Sequence, residues 1–461
     1  MGAVMREHGW TIDLLDCLDR FDPELISLES PYNKKFYTGK YYKRIIPKPD
    51  NLSFVPRKYG CYGMPEELVK KRLNAMKKPD IVFLTSGMTY WYPALKDIVL
   101  IIKEYFPITP IILGGVYATL APENARKTSP VDDVITGEAE NRLNEIIPKQ
   151  LWDGIHFKEY ESLDDIPYPA FDLYHTLHFL PLLTTRGCPF RCSFCASYRL
   201  SGTFRKRSPK SVIDELIYSI KKYNIQDVVF YDDALLTDKD EHIKVILDTV
   251  AVKGLNVRFH TPNGLQVNAF DDDIAKQMVS VGFATIRLGL ESIAEEKIKD
   301  ISQKASPEKF IAVVESFKRA GLSSNRIEAY ILMGLPGQNI FEVIDTLFFA
   351  AQQGVIVRLS SFSPIPGTKD WSRLIESGHI LPDIDLTETN NTVFIHRFPE
   401  YSFEVVNKVK EIVNSLNNCN KNGTPLPNKK DAYKEIWEIY RKQGMTSFLY
   451  SEIDKYEVVF N

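Results

Sequence analysis

Three cysteines, Cys188, Cys192 and Cys195, are the residues whose type and spacing best indicate chemistry. They form a Cys-x3-Cys-x2-Cys array at the end of an apolar stretch, and thiolates are the usual ligands of iron–sulfur clusters. A [4Fe–4S] cluster is commonly held by four cysteines, so a set of three leaves one iron open to a substrate or cofactor. The array therefore predicts a reactive cluster rather than a structural one.

Other uses of these cysteines stay open. A structural zinc site takes four protein ligands, and no histidine lies within the motif to supply the fourth. A disulfide is disfavoured by the tight spacing and by the cytosolic character of the rest of the chain. The cysteines could also be inert, which is how we interpret the scattered Cys17, Cys61 and Cys419.

Composition and charge restrict the class of protein. A chain of 461 residues predicts two or three domains with a sizeable core. The net charge of -3 gives no sign of a nucleic-acid or membrane partner. No apolar run approaches the ~20 residues of a membrane span, and the first residues contain no apolar signal region. We therefore expect a cytoplasmic enzyme.

Residues 1–165 alternate short apolar strands with helices, which predicts a doubly wound, Rossmann-like parallel sheet. The predicted strands are residues 11–18, 80–85, 108–113 and 133–135, and the predicted helices are residues 65–76, 92–105 and 139–147. Such sheets bind ligands at the carboxyl ends of their strands. The candidate ligand residues at those ends are Thr85, Ser86, Gly114, Gly115, Gly137 and Glu138. Plain turn formation is the alternative role of the glycines.

Residues 178–372 repeat a β/α unit. The predicted strands are residues 181–185, 227–231, 256–260, 285–290, 328–333 and 357–362. Six strands are too few for an eight-unit barrel, so we expect a partial (β/α)6 barrel whose strand ends meet at one mouth. Residues 373–461 are predicted to be a mainly helical cap, with helices at residues 404–416 and 430–443.

Polar residues and glycines follow the barrel strands at that mouth. The cysteine array follows the first strand, Asp232 and Asp233 follow the second, and Glu291 ends the fourth. The fifth strand is followed by Gly334, Leu335 and Pro336. The alternative roles are turn or N-cap formation for the two aspartates and a structural ion pair for Glu291.

With these motifs the chain resembles radical S-adenosylmethionine (SAM) enzymes that carry an N-terminal cobalamin (B12)-binding-type domain. The resemblance covers roughly residues 1–372. It rests on the cysteine array with Phe194 before its last cysteine, on Gly-Leu-Glu-Ser at 289–292, on Met-Gly-Leu-Pro-Gly at 333–337 and on Ser-Pro-Ile-Pro-Gly-Thr at 363–368.

The resemblance implies a [4Fe–4S] cluster on the three cysteines, with SAM chelating the open iron. Phe194 would lie beside the adenine, and Asp232 or Asp233 would bind the SAM amino group. Glu291 would contact SAM, and residues 334–337 would back the adenine. A flavodoxin- or ferredoxin-type donor would supply the electron that cleaves SAM to methionine and a 5′-deoxyadenosyl radical.

The N-terminal region departs from the cobalamin pattern at two points. It has no Asp-x-His-x-x-Gly motif, so the resemblance implies cobalamin without a histidine ligand to cobalt. The first strand of the domain is missing, because residues 2–9 already resemble the helix that should follow it.

Three functional hypotheses follow. The first is a cobalamin-dependent radical SAM methyltransferase acting on an unactivated carbon, or a cyclase-like relative. The second is a radical SAM enzyme that only abstracts hydrogen and has a vestigial cobalamin domain. The third is an iron–sulfur electron carrier or a metal-stapled binding module. The sequence does not name the substrate.

Overall fold

The computed structural model describes residues 1–28, 35–152, 156–301 and 304–445. The chain divides into two compact units. The N-terminal unit comprises Met1–Leu180, Ala196–Asp227 and Asp385–Glu388, and the barrel unit comprises Pro181–Cys195, Val228–Ile384 and Thr389–Asn461. Within the described ranges, no helix is both long enough and apolar enough to cross a membrane.

A parallel three-stranded sheet lies at the centre of the N-terminal unit. Its strands, in spatial order, are β1 (Val82–Thr85), β2 (Ile111–Gly114) and β3 (Asp133–Val134). The helices Glu66–Ala75 and Tyr92–Tyr105 bury apolar residues in the same core as the start of β2. Thr85 and Gly114 are paired in register, so the carboxyl ends of β1 and β2 are level.

Two local predictions in this unit are wrong. Residues 11–18 form no strand, because the Asp16 carboxylate accepts a hydrogen bond from the backbone N–H of Leu18 (2.8 Å) and turns the chain. The helix predicted at residues 139–147 is reduced to Leu143–Ile146. The cause is Asn141, whose side chain exchanges two 2.8 Å hydrogen bonds with the backbone of Tyr160 instead of lying on a helix.

The barrel unit is built on a sheet whose six main strands are arranged in chain order. These strands are β4 (Leu180–Leu182), β5 (Asp227–Phe230), β6 (Arg258–His260), β7 (Phe283–Glu291), β8 (Ile327–Met333) and β9 (Ile356–Ser361). The pairs β6–β7, β7–β8 and β8–β9 are parallel, and the short strand Leu265–Gln266 also pairs with β7. The predicted partial barrel is thereby confirmed.

Side-chain alternation gives β8 one fully buried face. On β8, Ile327, Ala329, Ile331 and Met333 are fully buried, whereas the residues between them are half-buried on the opposite face. Phe230, Phe259 and Phe283 stack on three neighbouring strands with ring centroids 5.4–5.9 Å apart. This aromatic stack and the apolar faces of the helices form the core.

The remaining elements are short connections and outer helices. The other helices of the N-terminal unit are Gly2–Glu7, Pro23–Leu28, Gly115–Leu120, Pro122–Thr128, Ser197–Ser201 and Pro209–Tyr223. Those of the barrel unit are Ile243–Val252, Asp272–Ser280, Glu295–Asp300, Pro307–Arg319, Ile340–Gln352, Lys369–Glu376, Asn391–Phe394, Phe403–Asn422 and Lys429–Lys442. Further short strands are Lys43–Ile45, Gly60–Tyr62, Thr185–Arg186 and Arg205–Lys206. The last two long helices confirm the two that were predicted in the C-terminal region.

Candidate active site

The cysteine loop leaves β4 and is folded tightly on itself. Cys188 and Cys192 are buried and Cys195 is half-buried. The Arg191 guanidinium donates to the backbone oxygen of Cys188 (2.9 Å), and the N–H of Cys195 donates to the backbone oxygen of Cys192 (3.1 Å). These bonds bring the three thiols onto one short turn.

Lys304 places a positive charge beside this turn. Its ammonium interacts electrostatically with all three thiols and with Glu291, and it lies 5.0 Å from the ring centre of Phe190. Burial would lower the pKa of Lys304, but the negative charges of the ionised thiols and of Glu291 outweigh burial and raise it. Burial raises the pKa of the Cys188 thiol, and the charge of Lys304 opposes that rise. Lys304 therefore favours thiolate in this loop.

The chemistry of the donor set fits an iron–sulfur cluster. In the described part of the chain, no group of three His, Cys, Asp or Glu side chains is arranged to hold a metal ion. The Cys192 thiol instead donates to the backbone oxygen of Ile301 at 3.3 Å. Ionisation removes that donor and frees the sulfur for a metal. Three cysteines on one short turn are the ligands that such a cluster takes, and Lys304 offsets part of their charge.

Asp232 and Asp233, which the sequence could not separate, differ in environment. Asp232 is buried, and its Oδ1 accepts four hydrogen bonds of 2.7–3.0 Å from the N–H and hydroxyl groups of Thr184 and Thr185. Burial raises its pKa to about 6 despite these bonds. The role of Asp232 seen here is to fix the backbone just before the cysteine loop. Asp233 is exposed, and its charge acts on the Cys188 thiol.

Glu291 occupies a strained position at the end of β7. Its φ of 61° is in the left-handed region, and the pairing of β7 with β8 shifts register between Gly289 and Glu291. A Cβ on Gly289 would lie 3.1 Å from Glu291 Oε1, so glycine allows the carboxylate to fold back over the strand. Glu291 is half-buried, and burial raises the pKa of its carboxyl group to about 7, with the charge of Lys304 opposing the rise.

The turn after β8 is held by hydrogen bonds to its backbone. Gln338 Oε1 accepts from the N–H groups of Gly334 (2.8 Å) and Leu335 (3.2 Å), and Lys297 donates to the backbone oxygen of Pro336 (2.7 Å). Gly334 has φ of 88°, a conformation that favours glycine. These hydrogen bonds therefore fix the backbone conformation of the turn. Phe194, on the cysteine loop, is half-buried.

Four of the predicted ligand residues of the N-terminal unit meet at the ends of β1 and β2. Gly115 has φ of +85°, and a Cβ there would lie 2.1 Å from Thr85 Oγ1. The Ser86 backbone oxygen accepts from the N–H of Tyr117 at 3.3 Å. The Thr85 hydroxyl therefore lies directly over the Gly114–Gly115 turn, which only a residue without a side chain can occupy.

The other two predicted residues have partners of their own. The Gly137 N–H donates to Thr119 Oγ1 at 2.9 Å. Glu138 is ion-paired with Arg205, whose Nη2 is 2.6 Å from Glu138 Oε1. The sequence reasoning missed Arg205, Thr119, Lys304 and Gln338, since none of them lies in a recognisable motif.

Comparison with known proteins agrees with this description. Residues 182–350 match the Radical SAM superfamily, and residues 60–147 match the B12 binding domain. The uncharacterized methyltransferase PH0819 of Pyrococcus horikoshii is 27% identical over 351 residues, which cover 69% of this chain and 75% of that protein. The cytidylyl-2-hydroxyethylphosphonate methyltransferase of Streptomyces wedmorensis is 24% identical over 450 residues, or 84% of this chain and 78% of that protein.

A solved structure shows the same fold. The radical SAM methyltransferase TsrM from Kitasatospora setae superposes with a TM-score of 0.54 at 16% identity, over 68% of this chain and 67% of that one. The matches to the two domain families, rather than this likeness of fold, identify the chain as a radical SAM enzyme with a B12-binding domain. The radical SAM domain implies a [4Fe–4S] cluster and SAM as cofactors, and the B12-binding domain supports cobalamin. This assignment favours the two enzymatic hypotheses over an electron carrier or a metal-stapled module.

Proposed function

We propose that this enzyme transfers a methyl group to an unactivated carbon in a cobalamin-dependent radical SAM reaction. The observation that carries the proposal is the grouping of the three cysteines, which follow the first barrel strand, with Glu291 at the end of the fourth strand and with Lys304, whose charge acts on all of them. Polar residues and glycines at the strand ends of the B12-binding domain support the cobalamin part. When bound, the cluster and cobalamin supply SAM cleavage and methyl-group transport.

The residues around the cysteine loop have complementary roles in holding SAM. Lys304 provides a cation for the SAM carboxylate, and Asp233 provides an exposed anion for its amino group. Glu291 accepts a hydrogen bond from SAM, and the register shift at the end of β7 sets the position of its carboxylate. Phe194 contacts the adenine, which the turn of Gly334, Leu335 and Pro336 backs. Asp232 acts through Thr184 and Thr185 rather than on SAM.

The cobalamin face is formed by Thr85, Ser86, Gly114 and Gly115, with Gly137 beside them. Backbone groups at these glycines can approach a bulky planar ligand closely. The ion pair of Glu138 with Arg205 shapes one side of this face. No histidine motif is present in the sequence, so cobalt would have no histidine ligand. The proposal also includes a cytoplasmic location and a flavodoxin- or ferredoxin-type electron donor.

Cluster binding can be tested with a matched pair of triple variants. Changing Cys188, Cys192 and Cys195 to alanine should abolish both the iron–sulfur absorption of the anaerobically reconstituted protein and SAM cleavage. The control changes the three cysteines outside the array, Cys17, Cys61 and Cys419, and should keep both. A full cluster in the first variant would contradict the cysteine assignment.

Cobalamin binding needs a separate measurement. Absorption titration should show binding at micromolar cobalamin, and the electron paramagnetic resonance (EPR) spectrum of Co(II)-loaded protein should lack nitrogen hyperfine splitting from a histidine. Absence of binding would favour the hydrogen-abstraction hypothesis with a vestigial domain. Nitrogen splitting from a histidine would refute the proposed coordination.

A further inference from the structure

Ser193, between the second and third cysteines of the array, is buried and fully hydrogen-bonded to distant parts of the barrel unit. Its hydroxyl donates to Asp370 Oδ2 (2.9 Å), and its backbone oxygen accepts from the N–H of Asp370 (3.0 Å). Its own N–H donates to the backbone oxygen of Asp300 (3.0 Å). All three polar groups of Ser193 are therefore directed away from the neighbouring sulfurs.

Arg373 closes these contacts into a ring. Its guanidinium donates to both carboxylate oxygens of Asp300 at 2.9 Å and to Asp370 Oδ1 at 3.1 Å. Asp370 is 1% exposed and lies in the first turn of the helix Lys369–Glu376, whose N-cap is Thr368. Asp300 ends the helix Glu295–Asp300, and the next residue, Ile301, accepts the Cys192 thiol bond.

We propose that Asp370, supported by Arg373 and Asp300, is a positioning residue that sets the cysteine loop for its cluster. It acts through Ser193 and thereby fixes the spacing between Cys192 and Cys195. This inference rests on the proposed function, since it concerns the same cluster. We call the four residues, Ser193, Asp370, Arg373 and Asp300, the loop clasp.

The clasp has two consequences for the cluster. Because every polar group of the buried Ser193 is hydrogen-bonded, this part of the cysteine loop is held in place by the barrel unit itself, so less ordering is required when the cluster is loaded. Asp300, Asp370 and Arg373 together also carry one net negative charge next to the loop. The hydroxyl and backbone N–H of Ser193 are already bonded to this group, so neither donates to a cysteine sulfur. Negative charge and a lack of hydrogen bonds to sulfur both disfavour the reduced cluster, so they lower its reduction potential.

The test compares Ser193→Ala, Asp370→Ala and the double variant with the wild-type protein, all anaerobically reconstituted. We expect iron loss to a chelator to be about tenfold or more faster in each single variant, because each removes a hydrogen bond to a charged group. The double variant should be no worse than Asp370→Ala, because both changes break the same contact. The EPR signal of the reduced cluster should shift, and its midpoint potential should rise more in Asp370→Ala than in Ser193→Ala.

Asp272→Ala is the matched control. Asp272 is also bonded to a serine, Ser316, and to an arginine, Arg319, but the Asp272 and Arg319 side chains are exposed. This variant should keep the wild-type cluster kinetics, EPR spectrum and potential. The inference would be overturned by wild-type behaviour in the clasp variants, by additive losses in the double variant, or by an equal effect in Asp272→Ala. Failure of the wild-type protein to hold a cluster would instead overturn the proposed function and the inference with it.

Discussion

Replacing Gly115 by alanine should disturb the proposed cobalamin face and destabilise the protein. The free-energy cost has two parts. The first is backbone strain, because φ of +85° is unfavourable for any residue with a side chain and costs about 1–2 kcal/mol. The second is steric, because the new Cβ would lie 2.1 Å from Thr85 Oγ1 and force that side chain out of its rotamer, at about 0.5–1.5 kcal/mol. Cobalamin affinity should fall as Thr85 moves.

A second glycine of this region provides the matched control. Gly137 has φ of +74°, but no atom lies within 4 Å of a Cβ placed there. Gly137→Ala should therefore incur the backbone cost alone, about 1–2 kcal/mol. Urea unfolding of the two variants measures the difference, and absorption titration measures the loss of cobalamin affinity.

A double-mutant cycle with Thr85→Ala isolates the steric part. Removing Oγ1 should recover about 0.5–1.5 kcal/mol in the Gly115→Ala background and leave the backbone strain in place. Equal destabilisation by Gly115→Ala and Gly137→Ala, or no recovery in the double variant, would refute the reasoning. Cobalamin affinity that is unchanged in Gly115→Ala would remove Gly115 from the proposed face.

Three other predictions concern the barrel unit. Lys304→Gln should weaken SAM binding about 10- to 150-fold in anaerobic equilibrium dialysis, because a charge-assisted contact is lost, whereas the exposed Lys318→Gln should bind normally. Burial opposes ionisation of Glu328, but its bonds from two arginines outweigh burial and lower its pKa. Its stabilising effect is therefore present above the ordinary carboxyl pKa and lost as pH falls through the lowered value. Glu328→Gln should cost about 2 kcal/mol at neutral pH in urea unfolding, and the deficit should shrink on acidification; a pH-independent deficit would contradict this sign. Phe259→Ala should destabilise the unit by about 3–5 kcal/mol by opening the aromatic stack, whereas a loss below 1 kcal/mol would show that the stack collapses to fill the space.

The sequence predicted the regular elements well where one periodicity dominates. The helix Tyr92–Tyr105 has the predicted bounds, and β8 shows the alternation typical of a strand packed on one face. All six barrel strands lie within a few residues of their predicted positions, because glycine-ended helices separate them clearly. The prediction at residues 11–18 was wrong because local hydrogen bonds to aspartate side chains compete with strand pairing. The apolar content of a segment does not reveal that competition.

The site was only partly predictable, because much of it depends on contacts between residues far apart in the chain. The cysteine array is local, so its spacing alone indicated a cluster. Asp232 and Asp233 look equivalent in sequence, and only the fold shows that one binds two threonines while the other is exposed. Lys304 approaches the cysteines from beyond the fourth strand, and no periodic or motif signal marks it.

The central claim, cobalamin-dependent methyl transfer, is tested most directly by counting the SAM products of a substrate-consuming anaerobic reaction. One SAM should donate a methyl group and a second should yield the radical, so S-adenosylhomocysteine and 5′-deoxyadenosine should form in about equal amounts per methylated product. Chromatography of reactions with and without cobalamin gives this ratio. Substrate turnover that yields 5′-deoxyadenosine without S-adenosylhomocysteine, and that is unaffected by cobalamin, would contradict the account and favour hydrogen abstraction alone.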